Sequence, residues 1–382
     1  MSKPDARNAA PQIAIVHERL TEIAGSELVT EQLAHEWPGA PVHIPIVDRR
    51  TRAGFTDRVV TGYLTTAYGM LAHRTYAPLL PLVPAWLRHH DLGAADAVII
   101  SHHAFAIAAA QAAGTRPTIA YVHSPARWAW DAKMREAESD TFAGKAALDV
   151  LSQLAIRNEL QSCGKLSTIV ANSTAVAARI VDHWDREAVV VHPPVDTEFY
   201  TPDPAEPVGD FFLLAGRLVP YKRPDIAIKA ASAAKVKLVV AGGGRKINDY
   251  KRLAGDADIT FLGRVSDDEL RRLQRQALAC LLPGEEDFGI VPVEAMACGT
   301  PVVALGIGGV CDSVIDGVTG VLVRGDDDAS IISAFATALA EFDRGSFDSA
   351  EIRRHAEGFS RAEFRRRMRG VVDQTLATHR GS

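Results

Sequence analysis

The chain has 382 residues, 47% of them hydrophobic and 23% charged, which suits a globular protein of two domains at roughly 100–200 residues each. A net charge of -5 gives no basis for nucleic-acid binding, and no apolar run is long enough to cross a bilayer. The four cysteines (Cys163, Cys280, Cys298, Cys311) make neither a C-x-x-C pair nor a Cys/His cluster, so a zinc site and a disulfide framework are excluded and a cytoplasmic setting is expected. Met1–Gln12 is polar and lacks the apolar stretch of a secretion signal.

In chain order, Gln12–His17 reads as a buried strand, followed by Glu18–Gly25 and a helix from Ser26 to Glu36 with Ser26 as its N-cap. Strand, glycine-containing loop and helix are the opening of a nucleotide-binding βα unit, but without G-x-G-x-x-G this stretch alone reads as the plain βα unit of any α/β protein. Val42–Val47 is a second strand. Thr65–Leu92 mixes Tyr68, Met70, Leu71, Tyr76 and Trp86 with His73, Arg74, Arg88, His89 and His90. That mixture fits helical core with solvated ends, or an amphipathic surface for lipid-linked acceptors. Asp96–Ser101 and Thr118–His123 are short apolar strands.

The second of these ends in His123-Ser124-Pro125-Ala126-Arg127-Trp128-Ala129-Trp130-Asp131. Ligands of open α/β sheets bind beyond the carboxyl ends of strands, which places His123 and Arg127 beside a substrate. Ser167–Ala171 and Ala188–Val191 are further strands, and Asp203-Pro204-Ala205-Glu206-Pro207 reads as a linker. A second α/β unit starts at Phe211–Ala215, turns at Gly216 and presents Arg217 and Lys222 before a helix opened by Pro224-Asp225. Such cations suit phosphate, with Arg able to bind it bidentately. Lys237–Gly243, Ile259–Gly263 and Ala277–Pro283 continue the strands. Asp256-Ala257-Asp258 has a D-x-D form but reads as a polar turn, so no metal site is assigned.

Glu285–Ala304 carries the densest chemistry. Pro292 is expected to open a helix over Val293–Cys298 that stops at Gly299, with a strand from Thr300 to Ala304. Glu286 then lies in the preceding loop and Glu294 in the first helical turn, flanking a helix N-terminus suited to an anion. Two carboxylates around an anion site fit a ligand with hydroxyls at both ends and phosphates between, as in a nucleotide sugar. Gly306-Ile307-Gly308-Gly309 precedes a helix over Val310–Ile315, and Val321–Val323 is the last strand. Ile352–His379 reads as an Arg-rich helix whose basic face is exposed, with an anionic membrane surface as the alternative.

Gly216-Arg217-Leu218, Lys222, Glu286 with Glu294, the run Ala297–Ala304 and Gly317–Val323 together resemble glycosyltransferases of family 4. The resemblance covers nearly the whole chain. It implies the α/β GT-B fold: two Rossmann-like domains facing across a cleft, residues 1–200 and 208–360, with a closing helix at 361–382 returning to the first. It also implies sugar transfer with retention of configuration, without metal or other cofactor. Arg217 and Lys222 would neutralise the donor diphosphate, Glu286 would hold the sugar and Glu294 the ribose. Gly25, Gly216, Phe288, Gly289 and Ile290 would line the donor site, with His123 at the sugar's reacting face and Arg127 beside it. Two departures stand out: Ala24 replaces a frequent first glycine, and Asp312 a frequent glutamate, so Asp312 is given no role.

The His123–Asp131 segment is similar to mannosyltransferases of exopolysaccharide and O-antigen assembly, implying GDP-mannose as donor. The expected partners are a nucleotide sugar and a glycan, glycolipid or small-molecule acceptor, with a peripheral contact at the inner membrane face as a further expectation. A sugar-nucleotide epimerase and a non-catalytic nucleotide-sugar binder are the alternatives of similar architecture.

Overall fold

The computed structural model describes residues 11–73, 75–136 and 142–381; Arg74 and the polar start Met1–Ala10 lie outside the described residues. Two compact units emerge. Unit one contains the described residues up to Asn172, Val176–Val191 and those from Arg365 onward; unit two contains Ser173–Ala175 and His192–Phe364.

Unit one is built on nine strands: β1 (Ile13–His17), β2 (Arg19–Leu20), β3 (Val42–His43), β4 (Ile46–Val47), β5 (Val59–Val60), β6 (Ala97–His102), β7 (Thr118–Val122), β8 (Thr168–Ala171) and β9 (Val189–Val190). Seven form one sheet in the order β5-β3-β1-β6-β7-β8-β9, and β2 pairs with β4 apart from it. Every pairing is parallel. Unit two has β10 (Phe211–Ala215), β11 (Lys237–Ala241), β12 (Ile259–Gly263), β13 (Cys280–Leu282), β14 (Val302–Leu305) and β15 (Gly320–Val323). Their order, β12-β11-β10-β13-β14-β15, is the doubly wound Rossmann order, and unit one follows it with one strand added.

Parallel strands are covered on both faces, which is why β1, β6 and β7 are buried at every residue and read as unbroken apolar runs. Phe105 and Phe55 fill unit one, and Phe212 and Phe335 fill unit two, all of them fully or almost fully buried. In both sheets the order reverses beside the first strand, between β1 and β6 and between β10 and β13. The crevices at the carboxyl ends of those pairs are where such sheets bind ligands.

Several boundaries differ from expectation. Val42–Val47 is not one strand: Ile44-Pro45 separates β3 from β4, which serve different sheets. Pro45 has no N–H for a ladder. The first helix starts at Gly25 with Ala24 as N-cap, not Ser26. Ser26 instead donates to Glu27 Oε2 at 3.0 Å, while that oxygen also accepts Ala24 N–H at 3.1 Å. The Arg-rich tail is two helices, Ser349–Glu357 and Arg361–Arg380, broken at Gly358–Ser360. Its arginines are also less free than expected. Arg353 donates to the carbonyls of Tyr200, Ala297 and Thr197, and Arg365 and Arg369 bind Gln32 and Glu36. Phe364, Met368, Val372 and Leu376 form the buried stripe, as the helical spacing requires. In the Thr65–Leu92 region Tyr68, Leu79 and Trp86 are core, while Met70 is 82% exposed.

One buried carboxylate ties the middle of unit one together. Glu159, on the helix Phe142–Ser162, accepts from His102 Nε2 (3.1 Å), Ala126 N (2.9 Å), Trp130 Nε1 (2.6 Å) and Trp184 Nε1 (3.1 Å). Ile107 N–H points at His102 Nδ1, which leaves Nε2 as the protonated nitrogen that donates to Glu159. Trp130, which the sequence grouped with a binding segment, is thereby a packing residue; it also stacks on His183 at 4.3 Å. Glu159→Ala is expected to lower unfolding free energy by about 3–5 kcal/mol, because it strands buried donors. The exposed Glu187→Ala should shift it by less than about 0.5 kcal/mol in the same denaturant titration.

Candidate active site

In unit two the site begins where β10 ends. Gly216 has φ +129 and donates its N–H to Ala241 O at 2.9 Å. Arg217 follows, exposed, and a tight turn Pro220–Lys222 leads to Arg223 at φ +52. A left-handed arginine is strained. It is held by paired hydrogen bonds to Asp225 (3.1 and 3.0 Å) and to Asp328 (2.9 and 2.7 Å). Those four bonds anchor the turn that carries Lys222.

From the far side of the switch point comes the loop after β13. A Cβ on Gly284 would stand 2.6 Å from Tyr221 O, so this loop lies directly on the Lys222 turn. Lys222 Nζ donates to Glu286 Oε1, with both side chains about four-fifths covered. Burial opposes the lysine charge, but the Glu286 carboxylate beside it holds the Lys222 pKa above the ordinary value. Arg217 is near enough for its charge to act on Lys222 as well. The next loop closes over Glu286: Gly309 N–H donates to Glu286 O at 2.9 Å, and a Cβ on Gly309 would lie 2.0 Å from Asp287 O.

The helix expected from Val293 begins at Ile290, with Gly289 (φ +89) as its N-cap, and runs to Ala297. Glu294 is consequently its fifth residue, not part of the first turn, because Pro292 sits third instead of first. Burial, reinforced by Asp267, pushes its carboxyl up to about 7. Phe288, 3% exposed, packs against His192 at 5.4 Å, and His192 Nε2 lies 3.1 Å from Asp312 Oδ2. Asp312, left without a role from sequence, also accepts the N–H and hydroxyl of Thr174. It therefore braces the residue that precedes the helix N-cap.

Unit one brings together a second polar group at the ends of β1, β6 and β7. His123 Nε2 meets Ser101 Oγ at 2.9 Å, and His17 Nδ1 meets the same hydroxyl at 3.1 Å. His17 Nε2 lies 3.3 Å from Glu27 Oε1, and Thr30 Oγ1 joins both His17 and Ser101. Burial, with His103 and His17 nearby, drives His123 well below its ordinary pKa, so it is neutral. Glu27 is held at about 2: burial acts against ionisation, and His17 outweighs it. Glu18 Oε2 accepts the N–H groups of Ala104, Phe105 and Ala106 at 3.0, 3.0 and 3.3 Å. Gly25 is the first residue of the helix bearing Glu27, in ordinary helical conformation. Arg127 begins the four-residue helix Arg127–Trp130.

Lys222 is thus joined to Glu286 in unit two, and His123 to the helix of Gly25 in unit one. Glu18, Glu27, Ser101 and His192 were not singled out from sequence, and Asp312 was noted there only as a departure without a role. A signal existed for Glu27, three residues after an N-cap, but Ala24 lacks the hydroxyl that marks a capping box. Among the described residues no group of three or more His, Cys, Asp or Glu could hold a metal ion, and Asp256–Asp258 lies in the turn before β12. No described helix is long and apolar enough to cross a membrane.

Two Rossmann-like parallel units of this kind make up the GT-B class. Solved structures share it: HepE of Anabaena in complex with UDP (TM-score 0.66, 19% identity, 95% of this chain and 100% of that one) and sucrose-phosphate synthase of Thermosynechococcus elongatus (TM-score 0.69, 18% identity, 96% and 100%). Residues 23–199 match the family described as Glycosyltransferase Family 4, and residues 202–344 match Glycosyl transferases group 1. The chain belongs to glycosyltransferase family 4. D-inositol 3-phosphate glycosyltransferase of Geodermatophilus obscurus is 34% identical over 53% of this chain and 51% of its own length. That of Stackebrandtia nassauensis is 30% identical over 69% and 65%. The chain therefore spans between about half and two thirds of the length of these relatives.

The raised Glu294 pKa has a definite sign. A carboxyl lifted from 4.5 to about 7 by folding stabilises the fold fully below the lower value and loses that contribution as pH rises through the upper one. Glu294→Gln should therefore gain melting temperature relative to the parent between pH about 5 and about 8. A difference that stays constant across that window would place Glu294 in a wetter setting.

Proposed function

We propose that this protein transfers a hexosyl group from a nucleotide diphosphate sugar to a hydroxyl of a glycan, glycolipid or small molecule, with retention of configuration. The observation that carries this reading is the Lys222–Glu286 pair at the β10/β13 switch point, beside a helix N-terminus capped by Gly289. The diphosphate and the hydroxyls of a nucleotide sugar both find partners around this pair. Arg217 and Lys222 supply charge for the diphosphate, the first amides of Ile290–Ala297 supply donors, and Glu286 supplies a hydroxyl acceptor. Glu294, half-buried in the second turn of the helix, is assigned to the ribose. The relatives named above as D-inositol 3-phosphate glycosyltransferases, and HepE with UDP-glucose, support a nucleotide-sugar donor.

As the glycosidic bond to the diphosphate breaks, negative charge grows on the leaving group. Arg217, Lys222 and the helix amides would stabilise it. Glu286 would hold the sugar while the ring takes on oxocarbenium character. In unit one, His123, neutral and bonded to Ser101, is assigned to the sugar or acceptor side together with Arg127 and Gly25, on the family resemblance. GDP-mannose is the preferred donor, from the similarity of His123–Asp131 to mannosyltransferases.

The test is a panel of UDP- and GDP-sugars with nucleoside diphosphate release as readout, run with and without EDTA. GDP-mannose is expected to turn over, and chelation to leave the rate unchanged. Activity lost in EDTA and restored by Mn²⁺ or Mg²⁺ would overturn metal independence. Lys222→Ala should weaken nucleoside diphosphate binding by about 1.5–3 kcal/mol. Glu286→Gln should cut turnover yet keep that affinity, since the free diphosphate carries no sugar and the change releases Lys222 from its partner. Equal losses of affinity in both variants would show that Glu286 does not serve the sugar.

A further inference from the structure

A cavity of about 290 Å³ opens in unit one at the carboxyl end of β4, lined by Val47, Arg49, Thr65, Thr66, Gly69 and His73. None of these residues belongs to the groups assigned above. Its polar lining is unequally engaged. Thr65 Oγ1 is committed: it donates to Pro45 O at 3.1 Å, accepts Val47 N–H at 3.1 Å and meets Thr61 Oγ1 at 2.5 Å. Among the described residues, the exposed Arg49 makes no ion pair or hydrogen bond through its guanidinium, and the exposed Thr66 hydroxyl makes none either.

The charge arrangement around the cavity explains why Arg49 is left over. Asp48, 6% exposed, is the nearest carboxylate in sequence, and Arg50 occupies it through its backbone N–H, Nε and Nη2 at 3.0, 3.0 and 2.7 Å. Arg50 is thus neutralised, while Arg49 on the cavity side has no counter-charge.

His73 is held in an unusual way. It and Ala72 both have positive φ, +56 and +53, in the turn that ends the helix Tyr63–Met70. Two consecutive non-glycine residues in that region are strained, and strain of this kind gathers at binding sites. Tyr68 fixes the residue, with its ring edge-on to the imidazole at 4.8 Å and its hydroxyl donating to His73 O at 3.2 Å. Nδ1 lies 3.8 Å from Asp48 Oδ1, too far for a hydrogen bond, and is buried without a partner. Nε2 lies on the side of Gly69, where even an added Cβ would stay 3.9 Å away. A larger residue at Gly69 would close this edge of the cavity.

An uncompensated guanidinium, an unengaged hydroxyl and an imidazole held at a cost in strain converge on one concave site. We propose that this cavity binds an anionic group, a phosphate ester, through Arg49, His73 and Thr66. On the glycosyl-transfer reading above, on which this step rests, the ester belongs to the acceptor. The acceptor class is thereby narrowed to phosphorylated hydroxyl compounds, either soluble monoesters or the phosphodiester of a lipid headgroup. The position agrees with the rest of unit one. Val47, on the cavity wall, pairs in register with Leu20, and the neighbouring Arg19 reaches His103 Nε2 at 2.6 Å. The cavity thus lies on the same carboxyl edge of strands as the His17, Ser101 and His123 group.

The experiment uses the full chain saturated with nucleoside diphosphate, so that Arg217 and Lys222 are already occupied. Glycerol 3-phosphate is titrated in by calorimetry, and vesicles of phosphatidylglycerol or phosphatidylcholine are tested by co-flotation. The parent protein should bind the monoester, the phosphatidylglycerol vesicles or both. Arg49→Ala should weaken whichever binds by about tenfold or more, as expected for a charge-assisted contact, with partial retention in Arg49→Lys. His73→Gln should weaken it several-fold, and Arg52→Ala, a neighbouring exposed cation outside the cavity, should leave it unchanged. Monoester binding assigns the site to a soluble phosphate, and binding of phosphatidylglycerol vesicles alone assigns it to a lipid. Binding of neither, equal binding by Arg49→Ala and the parent, or an equal loss in Arg52→Ala overturns the proposal. Lys222→Ala separates this idea from the function above: it should lose nucleoside diphosphate and keep the phosphate ester, whereas Arg49→Ala should do the reverse. Thermal melts of each variant exclude unfolding as the cause.

Discussion

Backbone meets backbone at the carboxyl ends of the unit-two strands, and only glycine allows it. A Cβ on Gly242 would fall 1.8 Å from Gly216 O, one on Gly284 2.6 Å from Tyr221 O, and one on Gly309 2.0 Å from Asp287 O. With no side chain between them, four loops, those that follow β10, β11, β13 and β14, are pressed together. That compression brings Lys222 onto Glu286 across 64 residues of sequence and sets Gly289 at the head of the helix. The chemistry of the site follows from it. A lysine and a glutamate about four-fifths covered, with a helix N-terminus alongside, make a small region of concentrated charge, which is what the proposed diphosphate site rests on.

Unit one meets the same need by another route. Its strand ends carry polar side chains instead of bare backbone, and hydrogen bonds do the work that glycine contacts do in unit two. Ser101 joins His17 and His123, Glu18 gathers three successive amides, and Glu159 gathers one amide, two indoles and an imidazole. Such networks are costly if a buried member is unpaired, and Ser101, His17, Glu18 and Glu159 are all buried. The result is a rigid polar floor whose histidine, His123, stays neutral.

The remaining anchors explain why these loops hold their positions. Arg223 tolerates left-handed geometry because four hydrogen bonds to two aspartates support it, and Asp312 braces Phe288 through His192. On the tail, Arg365 and Arg369 reach Gln32 and Glu36 on the first helix. An arginine run that looked like a solvated face is partly a set of tethers.

The sequence by itself determined the strands, the class of fold and the unit-two motif. Parallel strands buried on both faces leave unbroken apolar runs, and the glycines, Arg217, Lys222, Glu286 and Glu294 lie close enough along the chain to be read as a pattern. Tertiary structure decided what distance in sequence hides. His17 and Ser101 are 84 residues apart, and Arg365 and Gln32 are 333 apart, so no local spacing announces either contact. It also decided the details that packing controls: Ile44-Pro45 splits one apolar run between two sheets, and the helix expected at Pro292 starts two residues earlier, at Ile290. The protonation of Glu294 and His123 belongs to this second group, because burial and neighbouring charge set it and neither is written in the order of residues.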